Sequence, residues 1–218
     1  MDAPVEWRVS SDLVAYPTAL AEMERRVALV GAGAAPELVW LLEHPPLYTA
    51  GTSAAPEELL LAGDLPVYQA GRGGRFTYHG PGQRVAYLVL DLNRRHRDLR
   101  LFVWTLEEWL IRSLACLGVK ADRRPGRIGV WVGHGPADEA KIAAIGVRVR
   151  RWISCHGVAL NVTTDLRRFA GIVPCGLRDS RVTSLRALGS KACMEDVDRA
   201  LAREFPALFR TTPDMASA

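Results

Sequence analysis

The sequence predicts an α+β fold, and three observations carry that prediction. The strongest helical pattern, Asp98 to Leu117, is bordered by extended patterns without a regular helix–strand alternation. Two β-rich stretches, Lys141 to Val149 and Trp152 to Val162, follow one another directly. No stretch inside the 218 residues has the composition of a linker, so a single domain over residues 1–218 is expected. A doubly wound parallel sheet would instead need strands and helices to alternate.

Taken in order, residues 17–30 open with Pro17 at a favoured first helical position and space Leu20, Met23, Val27 and Val30 as one helix face. Leu38 to Leu42 is a continuous apolar run that reads as a buried strand, stopped by His44-Pro45-Pro46. Tyr48, Thr49 and Gly51 then fall in an expected loop, and residues 56–62 in a short helix. Pro66 to Gln69 reads as a short strand leading into a glycine-rich loop. Arg84 to Leu92 leaves that loop with Val85, Tyr87 and Val89 on one face and Ala86, Leu88 and Leu90 on the other. Both faces are apolar, which predicts an inner strand and a loop held between two core strands.

In the Asp98–Leu117 helix, Leu101, Phe102, Trp104, Leu106, Trp109, Leu110 and Leu114 form a wide apolar arc, ended by Gly118. Arg127 to Val132 reads as a strand, and Arg150-Arg151 as the turn of a hairpin between the two β-rich stretches. Asp165 is placed to cap a short helix through Phe169, and Thr183-Ser184 a helical turn around Leu185. Met194, Val197, Leu201 and Phe205 make one stripe of a last helix, interrupted by Pro206. The polar tail 211–218 is expected to fray.

Composition bounds the function. Apolar residues make up 49% and charged residues 24%, as in an ordinary globular chain, and the net charge of +4 is mild. Cys116, Cys155, Cys175 and Cys193 form no CxxC pair, which argues against a zinc ribbon or a redox dithiol and fits a reducing cytoplasm. The N-terminal residues lack a basic-then-apolar pattern, so no signal peptide is expected, and apolar runs such as Leu38–Leu42 are too short to cross a bilayer. Basic residues are scattered rather than striped with aromatics, so no nucleic-acid partner is expected.

Most of the chemical information lies in Arg72-Gly73-Gly74-Arg75-Phe76-Thr77-Tyr78-His79-Gly80-Pro81-Gly82-Gln83. Four glycines and a proline within these twelve residues let the backbone approach a ligand closely. The segment reads as a shaped loop offering N–H groups and polar side chains; a wide turn between strands is the plainer alternative. It fits neither the dinucleotide pattern, which needs glycine where Phe76 stands, nor the P-loop. Cys175 lies between Pro174 and Gly176, a setting that can leave a sulfur accessible, although most free cysteines are structural. Lys141 heads the otherwise uncharged Ile142-Ala143-Ala144-Ile145-Gly146-Val147, so it needs a partner or an opening to water. One reading is snorkelling at a strand end. The other places its ammonium beside Cys175, where a cation favours the thiolate nucleophile. His134, Cys155 and His156 show no ligand-pair spacing, so no metal is expected. His156-Gly157 shapes a turn or lines a pocket, and His44 and His79 are either polar contacts or satisfied loop histidines.

With Arg72-Gly73-Gly74, Thr77 to Gln83, Lys141 to Val147, His156 to Val162 and Pro174-Cys175-Gly176 in view, the chain closely resembles the lipoyl(octanoyl) transferases, also called lipoate–protein ligase B. The resemblance runs from Leu42-Glu43-His44-Pro45 to Thr183-Ser184-Leu185. Gln69-Ala70 and Arg75-Phe76 occupy positions that the motif leaves open. The resemblance implies a mixed β-sheet with packed helices, as in the catalytic domains of biotin protein ligases and lipoate ligases. It implies transfer of an octanoyl group from acyl carrier protein to a lysine of lipoyl domains. Those acceptor domains belong to 2-oxoacid dehydrogenase acyltransferase subunits and the glycine cleavage H protein.

In such enzymes the cysteine matching Cys175 forms an acyl-thioester. The lysine matching Lys141 lowers that thiol's pKa and assists proton transfer. Residues matching Arg72, Gly73, Gly74, Arg75, Phe76, Thr77, Tyr78 and His79 line the site, with those matching Ala144, Ile145, Gly146, Gly157, Val158 and Ala159. No metal, nucleotide or other cofactor is implied, because the thioester is already activated. Competing readings are an ATP-dependent ligase of the same fold, for which Cys175 has no use, and a module that only binds acylated partners.

Overall fold

The computed structural model describes residues 5–133, 135, 138–173 and 181–210. A seven-stranded sheet has the order β1-β2-β6-β10-β9-β8-β7, and β4-β3-β5 form a second sheet. The strands are β1 Val5–Leu13, β2 Glu37–Glu43, β3 Leu47–Ala50, β4 Val67–Gln69 and β5 Thr77–His79. They continue with β6 Gln83–Val89, β7 Asp122–Arg124, β8 Arg127–Val132, β9 Ala140–Arg150 and β10 Ile153–Asn161. The helices are α1 Tyr16–Gly31, α2 Leu99–Cys116 and α3 Met194–Leu208. Only β1–β2 is parallel in the large sheet, with α1 as its crossover, so the sheet is mixed and the fold α+β.

The period of two in β2 and β6 divides the core into two layers. Leu38, Trp40, Val85, Tyr87 and Val89 pack with Ala19, Met23 and Val30 of α1. Val39, Leu41, Ala86, Leu88 and Leu90 pack on the other face with Phe102, Leu106, Trp109 and Leu110 of α2 and Val197, Leu201 and Phe205 of α3. Trp109 also donates from its indole to Leu201 O at 2.8 Å, joining the two helices. β6 is buried throughout and sits between β2 and β10, the inner position its two apolar faces predict. Asp98 caps α2 by accepting from the Arg100 and Leu101 amides. The expected β9–β10 hairpin forms, but it turns through Arg151 and Trp152 rather than Arg150 and Arg151: Arg150 still pairs with Ile153, and the two turn residues take the positive φ that a two-residue turn requires.

Several expectations are corrected. β1 and β7 were not legible as strands, because they are sheet edges: β1 has no fully buried residue and mixes polar with apolar residues, and β7 is three polar residues. The expected loop at Tyr48–Thr49 is β3, a buried four-residue strand pairing with β4 and β5. The glycine segment is therefore not held between two core strands: it is entered from β4, whose ends are exposed, and contains β5. Residues 56–62 hold only the 3-10 turn Pro56–Glu58, after which Leu59 bridges Ile172. Leu101 and Trp104 lie outside the buried arc of α2, where Arg123 stacks 4.3 Å over the Trp104 ring. α3 continues through Pro206, whose missing N–H falls in its last turn. The tail 211–218 lies outside the described residues. Among the described residues no helix is long and apolar enough to cross a membrane.

Candidate active site

A cavity of about 650 Å³ lies beneath the glycine segment, against β9 and β10. Its floor comes from sequence stretches that are far apart but adjacent in the sheet. Ala144, Ile145 and Gly146 of β9 pair one to one with Ala159, Val158 and Gly157 of β10. All six border the cavity, as do Arg72, Gly73, Gly74, Arg75, Phe76, Thr77, His79 and Lys141. Tyr78 is the exception. Its ring packs 5.8 Å from Tyr48 and 5.6 Å from Phe169, so it supports the wall from behind.

The loop holds its shape through a buried arginine rather than through its glycines alone. The Arg72 guanidinium donates to Gly73 O, Arg75 O and Thr49 O, each at 3.0 Å, and to Thr49 Oγ1 at 2.7 Å. Gly73 N–H donates to Val147 O at 3.0 Å and docks the loop on β9. Arg75 pairs with Glu58, whose backbone carbonyl accepts from Val173 N–H at 2.7 Å. Arg72 thus works mainly inward, where the sequence suggested a side chain offered to substrate.

Lys141 is buried in spite of its charge, and its ammonium is engaged. Nζ donates to Ile128 O at 2.9 Å and lies 4.7 Å from the centre of the Trp131 ring. Its backbone N–H donates to Arg181 O at 2.8 Å, and its carbonyl accepts from Thr183 N–H at 2.9 Å. The chain that follows residues 174–180 is therefore pinned to Lys141. Cys175 itself, like His134, lies outside the described residues.

The other three thiols are all shifted away from the thiolate. Burial pushes Cys155 up to about 11. Cys116 is raised by desolvation and by the Glu204 carboxylate, and Cys193 by hydrogen bonds to Glu195 and Asp196. None of these settings favours a thiolate.

The histidines separate clearly. His44 is a satisfied core residue, 2.5 Å from Val14 O and 2.7 Å from Tyr87 Oη. His79 contacts Gln83 Oε1 at 2.7 Å through Nδ1 and Thr49 Oγ1 at 3.4 Å through Nε2. His156 lines the cavity from within β10 at φ 60°, not from a turn. Burial, reinforced by neighbouring positive groups, pushes His79 down to about 3 and His156 down to about 4. In an unfolded chain the same rings take up protons near pH ~6.5. The unfolded state therefore binds protons that the folded state refuses, and stability is expected to fall as pH drops below ~6.5. The loss is roughly 2 kcal/mol per ring by about pH 5. Urea unfolding at neutral pH and near pH ~5 checks this, and an unchanged free energy contradicts it.

Sequence reasoning left Asn161, Thr49, Tyr87 and Tyr16 out of the site, although all border the cavity. Gln83 Nε2 donates to Asn161 Oδ1 at 3.0 Å, and Asn161 Nδ2 donates to Thr183 O at 3.0 Å. The available signal was an amide closing the apolar run Val158–Leu160, here on the register pair Asn161–Gln83. Among the described residues no three His, Cys, Asp or Glu side chains are grouped as metal ligands.

Comparison with known proteins places this geometry. Residues 15–206 match the family described as the lipoyl protein ligase A/B catalytic domain. The chain is 62% identical to the octanoyltransferase of Paramagnetospirillum magneticum, over 96% of this chain and 99% of that one. It is 59% identical to the octanoyltransferase of Rhizorhabdus wittichii, over 96% and 93%. Among solved structures, the bi-partite lipoate protein ligase of Thermoplasma acidophilum superposes with a TM-score of 0.69 at 20% identity, covering 94% of this chain and 84% of that one. The apo biotin protein ligase of Aquifex aeolicus gives 0.50 at 12%, covering 93% and 66%. These two likenesses show a shared fold, and the sequence matches show more: the chain belongs to the octanoyltransferases of the lipoyl protein ligase A/B catalytic-domain family.

Proposed function

We propose that this protein moves an octanoyl or lipoyl group from acyl carrier protein to a specific lysine of a lipoyl domain, through an acyl-thioester on Cys175. The observation that carries this reading is a cavity floored by small and apolar side chains and bordered by the buried Lys141 ammonium, in a chain of the octanoyltransferase family. A C8 chain laid over Ala144, Gly146, Gly157 and Ala159 gains ~0.8 kcal/mol per buried CH₂, several kcal/mol in all.

In the first step the Cys175 thiolate attacks the carrier's thioester carbonyl. The carbon–sulfur bond to the carrier breaks, and the carrier thiolate leaves and takes a proton. In the second step the acceptor amine attacks the acyl-enzyme, the Cys175 sulfur leaves, and the amine loses a proton as the amide forms. Splitting the transfer in this way replaces one difficult acyl exchange by two easier ones. Lys141 suits both steps, since its ammonium favours the thiolate and can pass a proton to and from the reacting groups.

Two further facts support Cys175 as the nucleophile. The other three thiols are all raised. The chain on either side of residues 174–180 is anchored, Val173 through Glu58 to the glycine loop and Arg181 to Lys141. The acceptors in this reading are lipoyl domains of 2-oxoacid dehydrogenase acyltransferase subunits and the glycine cleavage H protein, reached in the cytoplasm.

The test is intact-mass measurement after incubation with octanoyl-acyl carrier protein. A hydroxylamine-labile octanoyl adduct is expected on the wild type and none on Cys175→Ala. No adduct on the wild type, or a labile adduct that persists on Cys175→Ala, overturns the assignment. Acyl transfer from free octanoate that requires ATP would instead revive a ligase.

A further inference from the structure

The Ile128 carbonyl and the Gly129 N–H belong to one peptide unit, and that unit is gripped from both ends. Its oxygen accepts from Lys141 Nζ at 2.9 Å, and its N–H donates to Glu107 Oε1 on α2 at 3.0 Å. A trans peptide is planar and points its N–H and C=O in opposite directions. Fixing the N–H on the helix side therefore aims the oxygen at the ammonium on the other side. The Glu107 carboxylate is itself buried and held from its second oxygen by Arg123 Nε at 3.2 Å. A carboxylate accepting from an amide also polarises that amide, which strengthens the bond its oxygen accepts.

The backbone leaves room for this arrangement only at glycine. Gly129 has φ 120°, and a Cβ there would lie 2.8 Å from Ala143 O, 3.1 Å from Lys141 Cε and 3.3 Å from Nζ. Beside it the β8–β9 register shifts between Val130 and Trp131, which pairs Trp131 with Lys141. The lysine stem therefore runs beneath β8 instead of out to solvent.

From these contacts we propose that Glu107 is a positioning residue: through the Ile128–Gly129 peptide it fixes where the Lys141 ammonium sits. Its importance for turnover rests on the reading of Lys141 given above. Glu107 does not itself line the cavity and reaches it only through the Ile128–Gly129 peptide and Lys141, so its effect belongs on kcat rather than on KM.

The test uses two variants and two readouts. Glu107→Ala removes the acceptor, whereas Glu107→Gln keeps an oxygen for Gly129 N–H and drops only the charge facing Arg123. Glu107→Ala is expected to lower kcat about 10-fold or more with KM within about twofold, and Glu107→Gln to stay within a fewfold of wild type. The second readout does not depend on activity. The chain has three lysines, Lys120, Lys141 and Lys191, so protein labelled with ¹³C at lysine Cε gives three assignable signals. In Glu107→Ala the Lys141 signal, set by the Trp131 ring, is expected to move while those of Lys120 and Lys191 stay. In Glu107→Gln it is expected to remain near its wild-type position.

An unmoved Lys141 signal in Glu107→Ala overturns the proposal, whatever the rate does. Equal loss of kcat and of melting temperature in both variants also overturns it, because the Arg123 ion pair would then be what matters. Lys141→Ala, assayed beside them, separates the two readings. If it keeps wild-type turnover, the role given to Lys141 fails, while the NMR shift still reports on the clamp.

Discussion

Lys141→Ala is expected to lower octanoyl transfer by roughly 10² to 10⁴ in kcat, the range typical of a lost general acid–base group. KM should change little, because the cavity floor formed by β9 and β10 is untouched. Some stability is lost as well. The Ile128 carbonyl, which accepts from Nζ at 2.9 Å, would be left without that donor, at a cost of about 1–3 kcal/mol. For a chain of this size that lowers the melting temperature by a few degrees at ~2–4 °C per kcal/mol, too little to explain the rate. Lys141→Arg is expected to stay inactive. A guanidinium keeps its proton, is planar, and cannot occupy the point position of an ammonium beneath Gly129. Steady-state kinetics beside a thermal melt checks both variants. Turnover near wild type in Lys141→Ala would remove the proton-transfer role.

Gly157→Val is the second large effect, and it acts on the fold. A Cβ on Gly157 would fall 2.1 Å from Ala86 O and 2.7 Å from Leu88 Cδ1. Both atoms belong to or adjoin β6, which is locked between β2 and β10 with every residue buried. Neither strand can retreat without breaking the ladder on its far side. The variant is expected to lose at least ~3 kcal/mol, or more than about 6 °C in melting temperature, or to fail to accumulate in folded form. Gly135→Ala, where an added Cβ meets nothing within 4 Å, is the control and should melt with the wild type. Gly157 borders the cavity, yet the absence of its side chain is required by β6 behind it. A glycine in a motif can be held by packing as firmly as by a ligand.

The same distinction separates what could be read from the chain from what could not. β6 announced itself because Val85-Tyr87-Val89 and Ala86-Leu88-Leu90 are apolar on both faces, and burial on both faces is what an inner strand needs. The β9–β10 hairpin was equally plain, with two long β-rich runs around a two-residue turn. β1 and β7 carried no such signal, since edge strands are specified by backbone pairing on one side. β3 and β5 were hidden for another reason. At four and three residues they are too short for a period to show, and they exist because β3 pairs with β5 inside the glycine segment and with β4 on its other side.

For the site, the sequence alone determined the chemical inventory. A lysine at the head of an uncharged strand, a glycine loop carrying His79 and Arg72, and two small-residue stretches can all be recognised from residue type and local spacing. Tertiary structure decided how those groups are used. It turned Arg72 inward onto Thr49 O and the loop carbonyls. It set Ala144–Gly146 opposite Gly157–Ala159. It aimed the Ile128 carbonyl at Lys141 by catching the adjoining N–H on Glu107, 22 residues away in the chain. The reason is physical. Side-chain type sets what a residue can donate, accept or fill, and that is written locally. The direction of a backbone carbonyl and the partner of a buried charge depend on which distant strand or helix packs there, and no residue states that by itself.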